Sequence, residues 1–169
     1  MTDSSIPAPG SAVSGAGRRP RLVLLGGASG SGKSYLARKY GHPHFPLDAF
    51  YHQLADDAAV GGSGPVFPRT EYGEIDWDDV GTWDEQAAVD AIVALLEEGV
   101  TSVPDYDISS SSRVGEFTLD LEEGQTVVAE GIFASAMPAA LARAGVECEA
   151  WYIDQPRELT AIRRFGRDV

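Results

Sequence analysis

The sequence predicts an α/β three-layer domain: a mostly parallel sheet of about five strands with helices packed on both faces. Two observations carry this expectation. Short apolar runs alternate along the chain with stretches of helical period, the order that right-handed crossovers between parallel strands require. The run Leu22, Val23, Leu24, Leu25 is apolar without alternation, as in a strand covered on both faces, and it leads into the stretch GGASGSGKS, which opens a helix. Within it Gly27, Ala28, Ser29, Gly30, Ser31, Gly32, Lys33 and Ser34 fit the pattern GxxxxGK[ST] at every fixed position. The glycines let successive backbone N–H groups turn into one concavity, and a helix start adds its positive dipole end. This places Lys33 in reach of the β- and γ-phosphates of a nucleoside triphosphate and the Ser34 hydroxyl on Mg²⁺. ATP and Mg²⁺ are therefore the expected cofactors.

Residues 1–19 are rich in Ser, Pro, Ala and Gly and lack the apolar centre of a signal peptide. They are expected to form a disordered tail before a domain spanning 20–169. The first helix, 33–40, meets Gly41, a suitable C-cap. His42 and His44 follow and are expected to be loop histidines, because no Cys or carboxylate motif accompanies them. Residues 44–48 read as a short second strand ending in Asp48. Ligands of doubly wound sheets lie beyond the strand C-termini, so Asp48 either accepts a proton from a substrate hydroxyl or caps a helix over 49–54. Residues 55–72, with GGSG and two prolines, are long for a connection and read as a substrate lid or a disordered excursion. The acidic and aromatic stretch 74–79 is either a solvated turn or a surface for a polyhydroxylated ring.

Thr82, Trp83, Asp84 and Glu85 read as a capping box. It opens a helix in which Ala88, Ala91, Ile92, Leu95 and Leu96 recur at helical spacing and which Gly99 closes. Residues 100–106 form a candidate strand, followed by a serine run that is either a flexible linker or a loop anchored by Arg113. Residues 126–130 make an apolar strand ending in Glu130, where a magnesium-side carboxylate belongs. A helix over 137–144, a strand over 147–154 with Cys148 buried in it, and a helix over 157–168 complete the pattern. The last helix carries Arg157, Arg163, Arg164 and Arg167, a local reversal of sign that reads as a lid over transferring phosphates. It stops at Val169 without a C-cap, which implies that the natural protein continues.

The formal net charge of −13 argues against nucleic acid or an anionic membrane as the main partner. No apolar run approaches the roughly 20 residues that cross a bilayer, and a cytoplasmic location is expected. Cys148 is the single cysteine, so no internal disulfide forms. A homo-oligomer stays open.

Together these segments resemble the uridine kinase family of phosphate-loop kinases, relatives of phosphoribulokinase and bacterial pantothenate kinase. Gly26 to Ser34 is similar to that family's glycine loop. Asp48-Ala-Phe-Tyr51 resembles its Asp-x-Phe-Tyr segment, which implies Asp48 as the base for a nucleoside 5′-hydroxyl and Tyr51 as a substrate residue. Trp77-Asp78 resembles its aromatic–Asp pair, implying Trp77 beside the base and Asp78 on the ribose hydroxyls. Pro104-Asp-Tyr106-Asp107 with Ser112-Arg113 is similar to its Pro-x-Tyr-Asp…Ser-Arg loop, implying substrate contacts from Tyr106 and Arg113. Glu130-Gly131 resembles its Glu-Gly, implying that Glu130 joins Ser34 on magnesium. Arg163-Arg164-Phe-Gly-Arg167-Asp168 resembles its lid, implying Arg163 toward substrate and Arg164 and Arg167, with Lys33 and Asp48, in catalysis. The implied fold is that of a nucleoside-kinase-like phosphate-loop protein. Two departures stand out: the position two before Arg113, often a pyrimidine-binding histidine in the family, is Ser111, and residues 55–73 do not follow the family pattern.

The expected activity is ATP-dependent phosphoryl transfer to the primary hydroxyl of a small molecule, a pyrimidine nucleoside first. Two alternatives remain: a kinase for another hydroxyl metabolite (pantothenate or a sugar phosphate), and a non-catalytic ATP-binding regulatory protein. A GTPase is disfavoured because no Asn-Lys-x-Asp-like guanine reader occurs.

Overall fold

The computed structural model describes residues 20–156 together with Glu158 and Thr160. Strand β1 (Arg21–Gly27) is buried from Leu22 onward because it has a neighbour on each edge. Its partners are β5 (Thr126–Glu130) and β6 (Glu149–Ile153), and β2 (His44–Pro46) adds to the far side of β5. All these pairs are parallel, in the order β2-β5-β1-β6. Strands buried on both faces read as continuous apolar runs, which is why β1 and β5 stand out in the sequence.

Strand alternation divides the core into two faces. Val23, Leu25 and Val128 pack against Ala37 of α1 (Lys33–Tyr40) on one side. On the other side Leu22, Leu24, Phe45, Val127 and Ala129 meet Ile92 and Leu95 of α2 (Glu85–Glu98) and Leu141 of α3 (Met137–Arg143). Each fully buried Leu, Ile or Phe stabilises this sandwich by about 1.5–3 kcal/mol. Among the described residues no helix is long and apolar enough to cross a membrane.

Among the described residues the parallel sheet has four strands. The expected strand over 100–106 is β3 (Val100–Asp107), which leaves the sheet and pairs antiparallel with β4 (Ser112–Asp120). The burial pattern explains this: Thr101 and Val103 are buried while Ser102 between them is exposed, so β3 covers the core with one face only. The serine run is the hairpin turn rather than a linker. Asp107 accepts the Ser109 N–H and the hydroxyls of Ser109 and Ser110, and Ser111 takes a left-handed φ of 47°.

Four further expectations change. No helix covers 49–54; residues Leu47–Phe50 form one 3-10 turn, and Asp48 lies inside it. The stretch 55–72 is ordered rather than a disordered excursion, built on short 3-10 turns and pinned by Asp57, whose buried carboxylate accepts the Ala59 and Phe67 N–H groups and pairs with Arg69. Asp84, not Thr82, caps α2, through the Ala87 N–H. Cys148 precedes β6 and is only partly covered.

Candidate active site

β1 delivers the glycine loop to the C-terminal edge of the sheet. Gly30 and Gly32 adopt φ of 80° and 96°, conformations that L side chains rarely take. Gly27 is needed for space: a Cβ there would lie 2.8 Å from the Ile153 carbonyl oxygen. α1 begins at Lys33 with no side-chain cap and no acidic residue in its first turn, so its leading N–H groups face the loop without a competing carboxylate. Lys33 is buried and its Nζ donates to the Ala28 carbonyl across the loop at 3.1 Å. Ser31 Oγ is buried and finds no hydrogen-bond partner among the described residues.

Beside the loop stand two carboxylates whose pKa values move in opposite directions. Burial pushes Asp48 above the usual aspartate range, and the charge of Glu130 adds to it. The Ile132 N–H and Lys33 oppose this shift. Asp48 Oδ1 accepts that N–H at 3.2 Å, which leaves Oδ2 for the cavity. For Glu130, burial also pushes upward, but the neighbouring His44 and Ser34 side chains and the charge of Lys33 outweigh it and hold the carboxyl low. His44 Nε2 lies 3.2 Å from Glu130 Oε1, while Oε2 is buried with no partner among the described residues. An orphaned buried carboxylate oxygen next to a phosphate loop fits a hard cation such as Mg²⁺, with Ser34 as the second protein group. The residues present thus fit both implied cofactors.

Gly131 lets these groups approach. A Cβ there would sit 2.5 Å from Asp48 Oδ1 and 2.9 Å from Leu47 Cβ. Behind Asp48 its turn is anchored to the start of α2: Trp83 Nε1 donates to the Leu47 carbonyl at 2.8 Å, and the Asp84 N–H to the Phe50 carbonyl at 2.9 Å.

A cavity of about 300 Å³ opens in front of Asp48, walled by Tyr51, Trp77, Asp78, Tyr106 and Ser111, with Ser29 of the glycine loop at its edge. Its floor is an aromatic cluster. Tyr51 packs with Trp77, Tyr106 and Phe133 at ring distances of 5.9, 5.8 and 5.7 Å. The Tyr51 hydroxyl donates to the Trp77 carbonyl and the Tyr106 hydroxyl to the His52 carbonyl, each at 3.1 Å. Burial, then Asp48 and Asp78, push the Tyr51 phenol well above its ordinary range, so it stays a neutral donor. Arg113 does not line this cavity; it pairs with Tyr106 across the hairpin, with Nη2 4.0 Å from Asp84 Oδ2 and its backbone N–H donating to Gln53. Arg163, Arg164 and Arg167 lie outside the described residues.

No family model matches the chain. Sequence comparison does. A uridine kinase of Saccharomyces cerevisiae is 27% identical over 157 residues, which are 89% of this chain and 29% of that protein. A uridine kinase of Clostridium botulinum is 25% identical over 152 residues, 90% of this chain and 70% of that protein. The chain resembles the uridine kinases. Two solved structures extend this uridine-kinase likeness to the fold. A proposed fructose transport system kinase from Silicibacter sp. TM1040 superposes with a TM-score of 0.65 at 17% identity, covering 92% of this chain and 75% of the other. A proposed uridine kinase from Bacillus stearothermophilus gives 0.56 at 19% identity, covering 92% and 81%. The fold is therefore that of the phosphate-loop kinases. The chain spans less than a third of the yeast uridine kinase it matches.

Sequence reasoning missed several groups at this site. His44 opens the expected strand over 44–48, but its contact with Glu130 was not foreseen: Nε2 lies 3.2 Å from Glu130 Oε1. The one signal for it was its place in the strand that leads to Asp48. The Ile132 N–H and the wall residue Ile108 carry no motif that assigns them to the cavity.

Proposed function

We infer that this protein transfers the γ-phosphoryl group of ATP to a hydroxyl of a small molecule, and that the acceptor is a pyrimidine nucleoside. The observation that carries this is convergence. Asp48, Tyr51, Trp77, Asp78 and Tyr106, scattered over nearly sixty residues, wall one cavity that Ser29 of the glycine loop also lines. Residues 27–34 would hold the triphosphate, and Ser34 and Glu130 would hold magnesium. Bound MgATP supplies the phosphoryl group and charge neutralisation. Asp48 Oδ2 accepts the proton of the acceptor hydroxyl; its raised pKa brings it toward operating pH, where a general base works best. Asp78 accepts from sugar hydroxyls, and the faces of Trp77 and Tyr106 are available to a planar base. The cavity is small and three of its nine lining residues are aromatic, which suits a nucleoside. The arrangement supplies positioning and electrostatics, the main requirements of phosphoryl transfer.

The test is ATP consumption with Mg²⁺ over uridine, cytidine, pantothenate and ribulose 5-phosphate, with products identified by mass. Phosphorylated uridine or cytidine is the expected result. Product from pantothenate or the sugar phosphate alone reassigns the acceptor. ATP binding without any product removes the catalytic reading.

A further inference from the structure

Resting on the kinase reading of this site, we propose that His44 is a positioning residue for magnesium, donating Nε2–H to Glu130 Oε1 and so presenting Oε2 to the cation. The geometry begins with the sheet register. β2 and β5 run parallel with His44 opposite Val128 and Pro46 opposite Glu130. Alternation puts Val128 and Glu130 on the same face, the one covered by α1, so His44 reaches diagonally to the acid one step along. Its side chain keeps 22% exposure, while that of Glu130 keeps 6%. A carboxylate oxygen is an acceptor only, so the proton of this 3.2 Å contact belongs to Nε2.

A partner whose role is merely to neutralise a buried acid would be expected to leave no oxygen wanting. Here one oxygen is taken and the other is buried with no partner in the described chain. An unsatisfied buried carboxylate oxygen carries a desolvation cost, and a ligand at that oxygen relieves it. Mg²⁺ demands near-octahedral geometry and takes few protein ligands, so the orientation of a single carboxylate counts heavily. Donors that fix such a ligand typically change metal affinity 10–100-fold when removed. His44 occupies the position of such a donor.

The experiment measures ATP affinity by calorimetry in EDTA and across a Mg²⁺ titration, for wild type and for His44→Leu, His44→Asn and His44→Gln, with thermal melting alongside. Leu and Asn cannot reach Glu130 as the ring does; Gln keeps a donor on a longer stem. We expect the Mg²⁺ concentration that half-tightens ATP binding to rise about 10–100-fold in the Leu and Asn variants. Affinity in EDTA should stay unchanged, and Gln should recover most of the loss. Should Leu fail to fold, the Asn and Gln pair carries the comparison. Wild-type magnesium dependence in every folded variant overturns the inference, as does an equal loss of affinity with and without magnesium. A wild-type protein whose ATP binding ignores magnesium overturns both the inference and the reading beneath it.

Discussion

On the kinase reading, the phosphate side and the acceptor side of the cleft are built by opposite means. The phosphate side is one continuous stretch, residues 27–34, shaped by backbone conformation and by the helix that follows. The acceptor side is gathered from a 3-10 turn, a long pinned loop and a hairpin, and bonds from Tyr51, Trp83, Asp84 and Tyr106 help to hold those pieces in place. A local site depends on the conformational freedom of a few residues. A gathered site depends on packing, and small displacements of its members are amplified into the chemistry.

The largest separation of the two sides should come from Asp48→Asn. Turnover should fall about 10²–10⁴-fold, the usual worth of a general base, while ATP affinity stays that of the wild type. The fold tolerates the change, because the amide oxygen can still accept the Ile132 N–H and a buried charge is removed. Steady-state rates with nucleotide titrations decide it. Equal turnover in the variant would falsify the role of Asp48.

Gly131→Ala tests packing on the acceptor side without replacing any reacting group. Its Cβ must displace Asp48 Oδ1 or Leu47, since both lie closer than 3 Å. Turnover should drop about 10²-fold, the order that a misplacement near 1 Å costs. Stability should fall by about 1–3 kcal/mol, as overpacked positions do, and nucleotide binding should change far less. Denaturant unfolding and the kcat against KM split report both effects.

This contrast also governs how much could be read in the sequence. The phosphate loop, β1, β5 and the three described helices are legible because their signals, apolar period and glycine spacing, are contained within the element itself. Asp48, Trp77 and Tyr106 could be named as candidates by residue type and by resemblance, but their meeting in one cavity is a tertiary fact. β4 was missed although Phe117 and Leu119 alternate with polar residues, because nothing local says that the serine turn folds back on β3. The contact of His44 was missed for the same reason: a histidine is explained by its partner, and Glu130 lies 86 residues away. Thr82 misled in the other direction, since Asp84 two residues later offers its carboxylate to the same helix.

The smallest expected effect, and the one that sharpens the contrast between the two carboxylates, is in pH. Asp48 must be ionised to accept a proton, and burial with the Glu130 charge raises its pKa. The acid limb of kcat/KM should therefore lie at higher pH than an ordinary aspartate would give. Stability should not follow it. Glu130 has a lowered folded pKa, so its contribution is fully present above the ordinary glutamate value and is lost only as pH falls through the lowered one. Asp48 works the other way: between its ordinary and raised values the folded form holds a proton that the unfolded form has shed, so its contribution declines as pH rises through that window. On acidification, activity should thus fail while the protein is still folded. Parallel kcat/KM and melting profiles test this. Coincident loss of rate and structure would mean that the acid limb reports unfolding, and an acid limb at the ordinary aspartate value would mean that Asp48 is solvated in the working enzyme.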